Sequence, residues 1–166
     1  MKKSMISTVA LDGLLLGVVS AVFLLVGRPS GMLAVLVWLL QTGVTVGLFW
    51  YLLKRQSLHA DRFTYGSAVG YGTLTGLFSG FVCGVLFVLY ITLLSPGVVD
   101  ALLDQMVGLY EQLGMADTAE AVVEFRPFLP YVFFISYLFY FTFIGLLYSL
   151  VMGNFVKQTR PPFSAE

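Results

Sequence analysis

The sequence predicts an all-α integral membrane protein. The expected architecture is a bundle of four transmembrane helices, with a short amphipathic helical segment between the third and the fourth. Three observations carry this expectation. Of the 166 residues, 58% are hydrophobic and only 11% are charged, against about a quarter charged in an ordinary soluble domain. Mean hydropathy is +0.91. The apolar residues gather in four windows close to the ~20 residues that a helix needs to cross ~30 Å of hydrocarbon, and none alternates like a barrel strand. A soluble domain of this size has too little interior for so much apolar surface. This excludes an ordinary soluble enzyme and a disordered chain. Nine basic and nine acidic residues give zero net charge, so no bulk field draws nucleic acid. A single Cys makes no internal disulfide.

The first span is expected over 9–26. Lys2 and Lys3 ahead of an apolar run resemble a signal peptide. Asp12 interrupts the run, however, and Gly27-Arg28-Pro29-Ser30 offers no small-residue cleavage site, so it reads as a retained span. The second span covers 32–53 and leads into a basic stretch with Lys54, Arg55 and Arg62. The third covers 67–94. Phe63 to Leu94 as one helix would reach about 48 Å, so it must tilt or protrude.

The segment 97–126 is the sizeable piece outside the spans. Val99, Leu102, Leu103, Met106, Tyr110 and Leu113 recur at helical spacing and make one apolar stripe, ended by Gly114. Asp100, Asp104 and Glu111 lie off it. The acids suit packing over the outer end of the bundle, or against a partner, better than lying on anionic lipid. Asp100 and Asp104 are one turn apart and could hold a cation; a solvated acidic face is the expected reading. Asp117-Thr118-Ala119-Glu120 reads as a capping box for a second short helix, with Asp117 as N-cap. Pro127 and Pro130 should break that helix before the fourth span, 131–156.

Seven of the nine basic residues lie on one side of this threading: Lys2, Lys3, Lys54, Arg55, Arg62, Lys157 and Arg160. Arg28 and Arg126 lie on the other. By the positive-inside rule both termini are cytoplasmic. Trp50, Tyr51 and Tyr131 fit interfacial anchors. The acidic segment is then extracytoplasmic.

The third span carries Gly72, Gly76, Gly80 and Gly84 at every fourth residue. That spacing keeps them near one face, drifting about 40° per step. Glycine lets helix backbones approach where hydrophobic drive is absent, and Thr73 and Ser79 could add hydrogen bonds at the edges. Gly145, Ser149 and Gly153 answer at the same spacing in the fourth span. The two spans are the natural pair within the chain; the competing reading turns the ladder toward a second protomer.

Asp12 is the acid inside a span. It is either a proton or cation relay, or an interfacial residue near Lys2, Lys3 or Lys157, which is the expected reading. Gln41 and Thr42 lie mid-way along the second span, one turn after Trp38, where interhelical bonding is the commoner role. His59 is without a second His or Cys at ligand spacing, so no metal is expected. Cys83 reads as a packing residue. Neither a Ser/His/Asp set nor a P-loop occurs, so neither catalytic residues nor cofactors are expected.

Five motifs recur in order: Gly13-Leu14-Leu15-Leu16-Gly17; Phe63-Thr64-Tyr65-Gly66-Ser67-Ala68; Ser95-Pro96-Gly97-Val98-Val99; Glu111-Gln112-Leu113-Gly114-Met115; and Asn154-Phe155-Val156-Lys157. Together they resemble the small four-span bacterial membrane proteins grouped as Domain of Unknown Function 4199, frequent in Bacteroidetes. The resemblance covers nearly the whole chain. It implies a bacterial inner-membrane protein with no assigned activity, and it supplies no catalytic or binding residues.

The expected function is a non-enzymatic membrane subunit or scaffold. It would sit in the bilayer as a homo-oligomer or with another membrane protein, joined through the glycine face, the acidic cap or both. The alternative is a small oligomeric transporter or channel component using Asp12 and Gln41. A lipid-directed enzyme built on the outer acids is a third, weaker option.

Overall fold

A backbone in hydrocarbon has no water to bond, so each apolar window closes its own N–H and C=O groups as a helix. The computed structural model describes residues 5–25, 31–60 and 63–156. Helix α1 is Met5–Leu25 and α2 is Met32–His59. Helix α3, Tyr65–Leu89, continues into a π-helical turn, Tyr90–Leu94. Helix α4 is Gly97–Gln112 and α5 is Ala116–Glu124. A 3₁₀ turn, Arg126–Phe128, precedes α6, Leu129–Val156. Four of these segments are long and apolar enough to cross a membrane, and the chain is an all-α, multi-pass membrane protein.

Several boundaries differ from the sequence expectation. Helix α2 runs past Leu53, because no Gly or Pro stands between Lys54 and His59. Thr64 caps α3 by accepting the Ser67 N–H at 3.2 Å. Gly114 ends the α4 segment with φ +73°, a left-handed conformation that favours glycine. Asp117 is not the N-cap of α5: Met115 holds that position without a side-chain bond, and Asp117 sits in the first turn, where it still meets the positive helix end. Pro130 lies inside the first turn of α6 instead of breaking the chain; a first-turn proline lacks only an N–H with no helical partner.

Helix α3 is the centre of the bundle, with α1 along one face and α6 along another. Helix α2 joins mainly by the end nearest His59, where Phe49, Leu52, Leu53 and Ser57 are buried. At that end Val9, Leu53, Phe63, Ala68, Tyr71 and Val156 form one core, drawing on all four spans. Toward Met32, α2 stands off from its neighbours. Helices α4 and α5 pack on each other, burying Leu103 and Ala119. Their main contacts beyond that pair are the turns 90–94 and 126–128. The apolar stripe of α4 therefore packs against α5, not against the outer end of the bundle, and only in part: Leu103 is buried while Leu102 and Leu113 stay exposed.

Candidate functional site

The α3–α6 seam is built where side chains are smallest. A Cβ on Gly80 would lie 2.8 Å from the Tyr137 carbonyl oxygen, and one on Gly84 would lie 3.0 Å from the Phe134 ring. A Cβ on Gly145 would lie 2.6 Å from the Gly72 carbonyl oxygen. Gly72 faces Ser149, Gly76 faces the Phe141 carbonyl, and Gly153 faces Ala68 and Tyr65. Ser149 Oγ donates to Leu146 O at 2.9 Å and reaches Val69 O at 3.4 Å. The glycine ladder thus meets α6 of the same chain. Thr73 does not bridge helices; its hydroxyl donates to Val69 O of its own helix at 2.8 Å. Ser79 Oγ is buried with no hydrogen-bond partner among the described residues.

A second close seam joins α1 to α3. A Cβ on Gly17 would lie 2.8 Å from the Ser79 carbonyl oxygen, and one on Gly13 would lie 3.0 Å from that of Thr75. Gly13 and Gly17 also stand four apart. The sequence carried this signal, but two glycines in one span weigh less than a ladder of four.

Asp12 lies about 10 Å along α1 from Met5, with its side chain 4% exposed. It is buried within the bundle. Arg55 of α2 donates to Asp12 Oδ1, and the Tyr71 hydroxyl of α3 donates to Oδ2. One carboxylate therefore ties three helices together, with its charge paired as a buried charge requires. The Arg55 side chain is 37% exposed, so it reaches in from the boundary while its stem lies along the bundle. Lys2, Lys3 and Lys157, the partners considered from sequence, lie outside the described residues. Arg55 had read as a topological charge and Tyr71 as an ordinary span residue. Pairing between residues 43 and 59 positions apart leaves no local mark in a sequence.

Where α2 stands off, α1, α2 and α6 enclose a crevice of about 770 Å³. Gln41 and Thr42 line it, with Ser20 from α1 and Ser136, Tyr140 and Tyr148 from α6. An edge-to-face contact of Phe49 with Tyr148, centroids 5.7 Å apart, joins α2 to α6 at one end of the crevice. Neither Gln41 nor Thr42 bridges helices: Thr42 Oγ1 donates to Trp38 O at 2.8 Å, and no hydrogen bond to Gln41 occurs among the described residues. Asp12 and Gln41 do not share a site. Arg55, the partner of Asp12, is fourteen residues beyond Gln41 on α2, about 21 Å along its axis.

Asp100 pairs with Arg126 on the exposed surface. His59 Nδ1 lies 2.7 Å from Arg55 O. No cluster of three or more metal-ligating side chains occurs among the described residues. The family described as "Protein of unknown function (DUF4199)" matches residues 11–158. No curated protein and no solved structure matches the chain.

Proposed function

The chain belongs to the DUF4199 family, and on that premise we propose a non-enzymatic subunit or scaffold of the bacterial inner membrane, joined to a partner through its outer α4–α5 hairpin. The excess of Lys and Arg on one side of the threading supports an orientation with both termini in the cytoplasm and the acidic hairpin outside. The observation that carries the reading is the surface of that hairpin. Leu109, Leu113, Val123 and Phe125 are exposed, on a segment outside the four spans. An exposed apolar patch of this kind marks an interaction surface. Its acids do not suit anionic headgroups, which favours a second membrane protein or a second copy. The glycine face, the other assembly surface considered, is occupied within the chain.

The test is purification in mild detergent with and without Leu109→Glu and Val123→Glu. The expected result is loss of the co-purifying protein, or of the dimer, at unchanged thermal stability. Unchanged recovery of the complex in both variants would overturn the reading. The crevice at Gln41 favours a second reading, a small oligomeric transporter or channel component. Asp12, engaged with Arg55 and Tyr71, stands apart from that path.

A further inference from the structure

Helix α4 spreads its apolar residues over two rows. Leu103 is buried against α5, and Tyr110 continues that row seven residues on. The second row is Val99, Leu102, Met106, Leu109 and Leu113. These recur at intervals of three, four, three and four, the a and d spacing of a coiled-coil seam. Such a seam is narrower than the apolar face that a helix lays on a core. The described residues leave it open: Val99 and Met106 are half-buried, while Leu102, Leu109 and Leu113 are exposed.

Charge selects what closes it. On this register Asp100 takes position b, and Asp104 and Glu111 take position f, on the far side of the helix from the seam. The g positions hold Gln105 and Gln112, and the e positions hold Leu103 and Tyr110. The edges of the seam are therefore uncharged. Helix α4 carries three acids and no basic residue, so anionic headgroups find no counter-charge on it. A basic partner would find no acid at the seam's edge to pair with. A second copy meets neither obstacle. It brings the same leucines to the seam, glutamines to its edge, and acids that point away from both helices. Uniform insertion, as the charge bias directs, sets the two seams at the same height, so one face can meet itself across a two-fold axis.

We infer that α4 pairs with α4 of a second copy along this seam, making the protein a two-fold dimer through its hairpin. The inference rests on the hairpin reading above and names the occupant of that surface.

The seam runs from Val99 to Leu113, about 21 Å, with Met106 at its centre. Two-fold pairing sets Met106 beside its own counterpart whether the helices run parallel or antiparallel. The full chain with Cys83→Ala, which removes its one thiol, is given Met106→Cys or Asp104→Cys and oxidised in native membranes. The expected result is a disulfide-linked homodimer from Met106→Cys and little from Asp104→Cys. Adding Leu109→Glu to Met106→Cys removes the linked dimer. Adding Gln105→Glu with Gln112→Glu, which puts acids on the seam's edge, lowers it several-fold in dilute salt and less at high salt. Thermal stability stays unchanged, because Leu109, Gln105 and Gln112 are exposed. Equal linkage from both thiols would overturn the inference, since random collision gives the same. So would linkage that Leu109→Glu leaves intact. A Met106→Cys protein that stays monomeric, with Leu109→Glu releasing a different co-purifying protein, would refute the second copy and leave the hairpin reading standing. A complex untouched by Leu109→Glu would refute both.

Discussion

Arg55, near the end of α2, closes onto Asp12, two turns into α1. The two halves of this pair are unequal: the Asp12 side chain is 4% exposed and that of Arg55 is 37% exposed. Removing the arginine strands a buried carboxylate, whereas removing the carboxylate leaves a cation that can turn toward water. Arg55→Gln should therefore lower stability by about 3 kcal/mol and Asp12→Asn by about 1 kcal/mol. The double variant should resemble Asp12→Asn alone. Thermal unfolding in detergent measures all three. Additive losses would mean that the pair is not coupled.

The seam between α3 and α6 sets a sharper limit. At Gly76 a new Cβ would meet the Phe141 carbonyl and, at 3.1 Å, Gly145 Cα. These are backbone atoms and cannot swing aside. Gly76→Leu or Gly80→Leu should cost about 3 kcal/mol or more and abolish recovery of monodisperse protein. Gly70→Leu is the control, because nothing lies within 4 Å of a Cβ there. Equal yield of the Gly76 and Gly70 variants in size-exclusion runs would show that the seam is not close-packed in solution.

The parts of this fold legible in the sequence were those set by local pattern. Hydropathy gave the four spans, and the four-residue period marked Gly72, Gly76, Gly80 and Gly84 as an interface. The rest depended on three-dimensional proximity. Nothing near Tyr71 in the chain marks it as a partner of Asp12. The crevice at Gln41 exists because α2 is held at its Arg55 end and stands off at the other, a relation among three helices that no single helix records. The capping box at Asp117 gave way by two residues, to an N-cap at Met115, since the chain reversal at Gly114 already fixes where α5 begins.

Gly13 and Gly17 bring α1 as close to α3 as the ladder brings α6. An alanine Cβ at Gly17 would meet the Ser79 carbonyl oxygen at 2.8 Å and Val82 Cβ at 2.9 Å, but it adds one carbon where a leucine adds four. Gly17→Ala should cost about 1–2 kcal/mol, less than a leucine at Gly76. It should also loosen α1, seen as faster amide exchange in residues 9–20 than in α6. Uniform exchange in both helices would place α1 within the same rigid unit as the α3–α6 pair.

The orientation can be settled with thiols placed by exposure. Cys83 is buried among the small residues of α3, so Cys83→Ala removes the native thiol at small packing cost. Glu120 on α5 and His59 at the end of α2 are both exposed and lie at opposite ends of the threading. In intact cells, Glu120→Cys should react fully with a membrane-impermeant maleimide, and His59→Cys only after permeabilisation. The basic residues Lys54 and Arg55 beside His59 set that expectation, because the translocation bias retains such clusters inside. The reverse pattern would put the acidic hairpin in the cytoplasm and would remove the outer hairpin as a surface for extracytoplasmic partners.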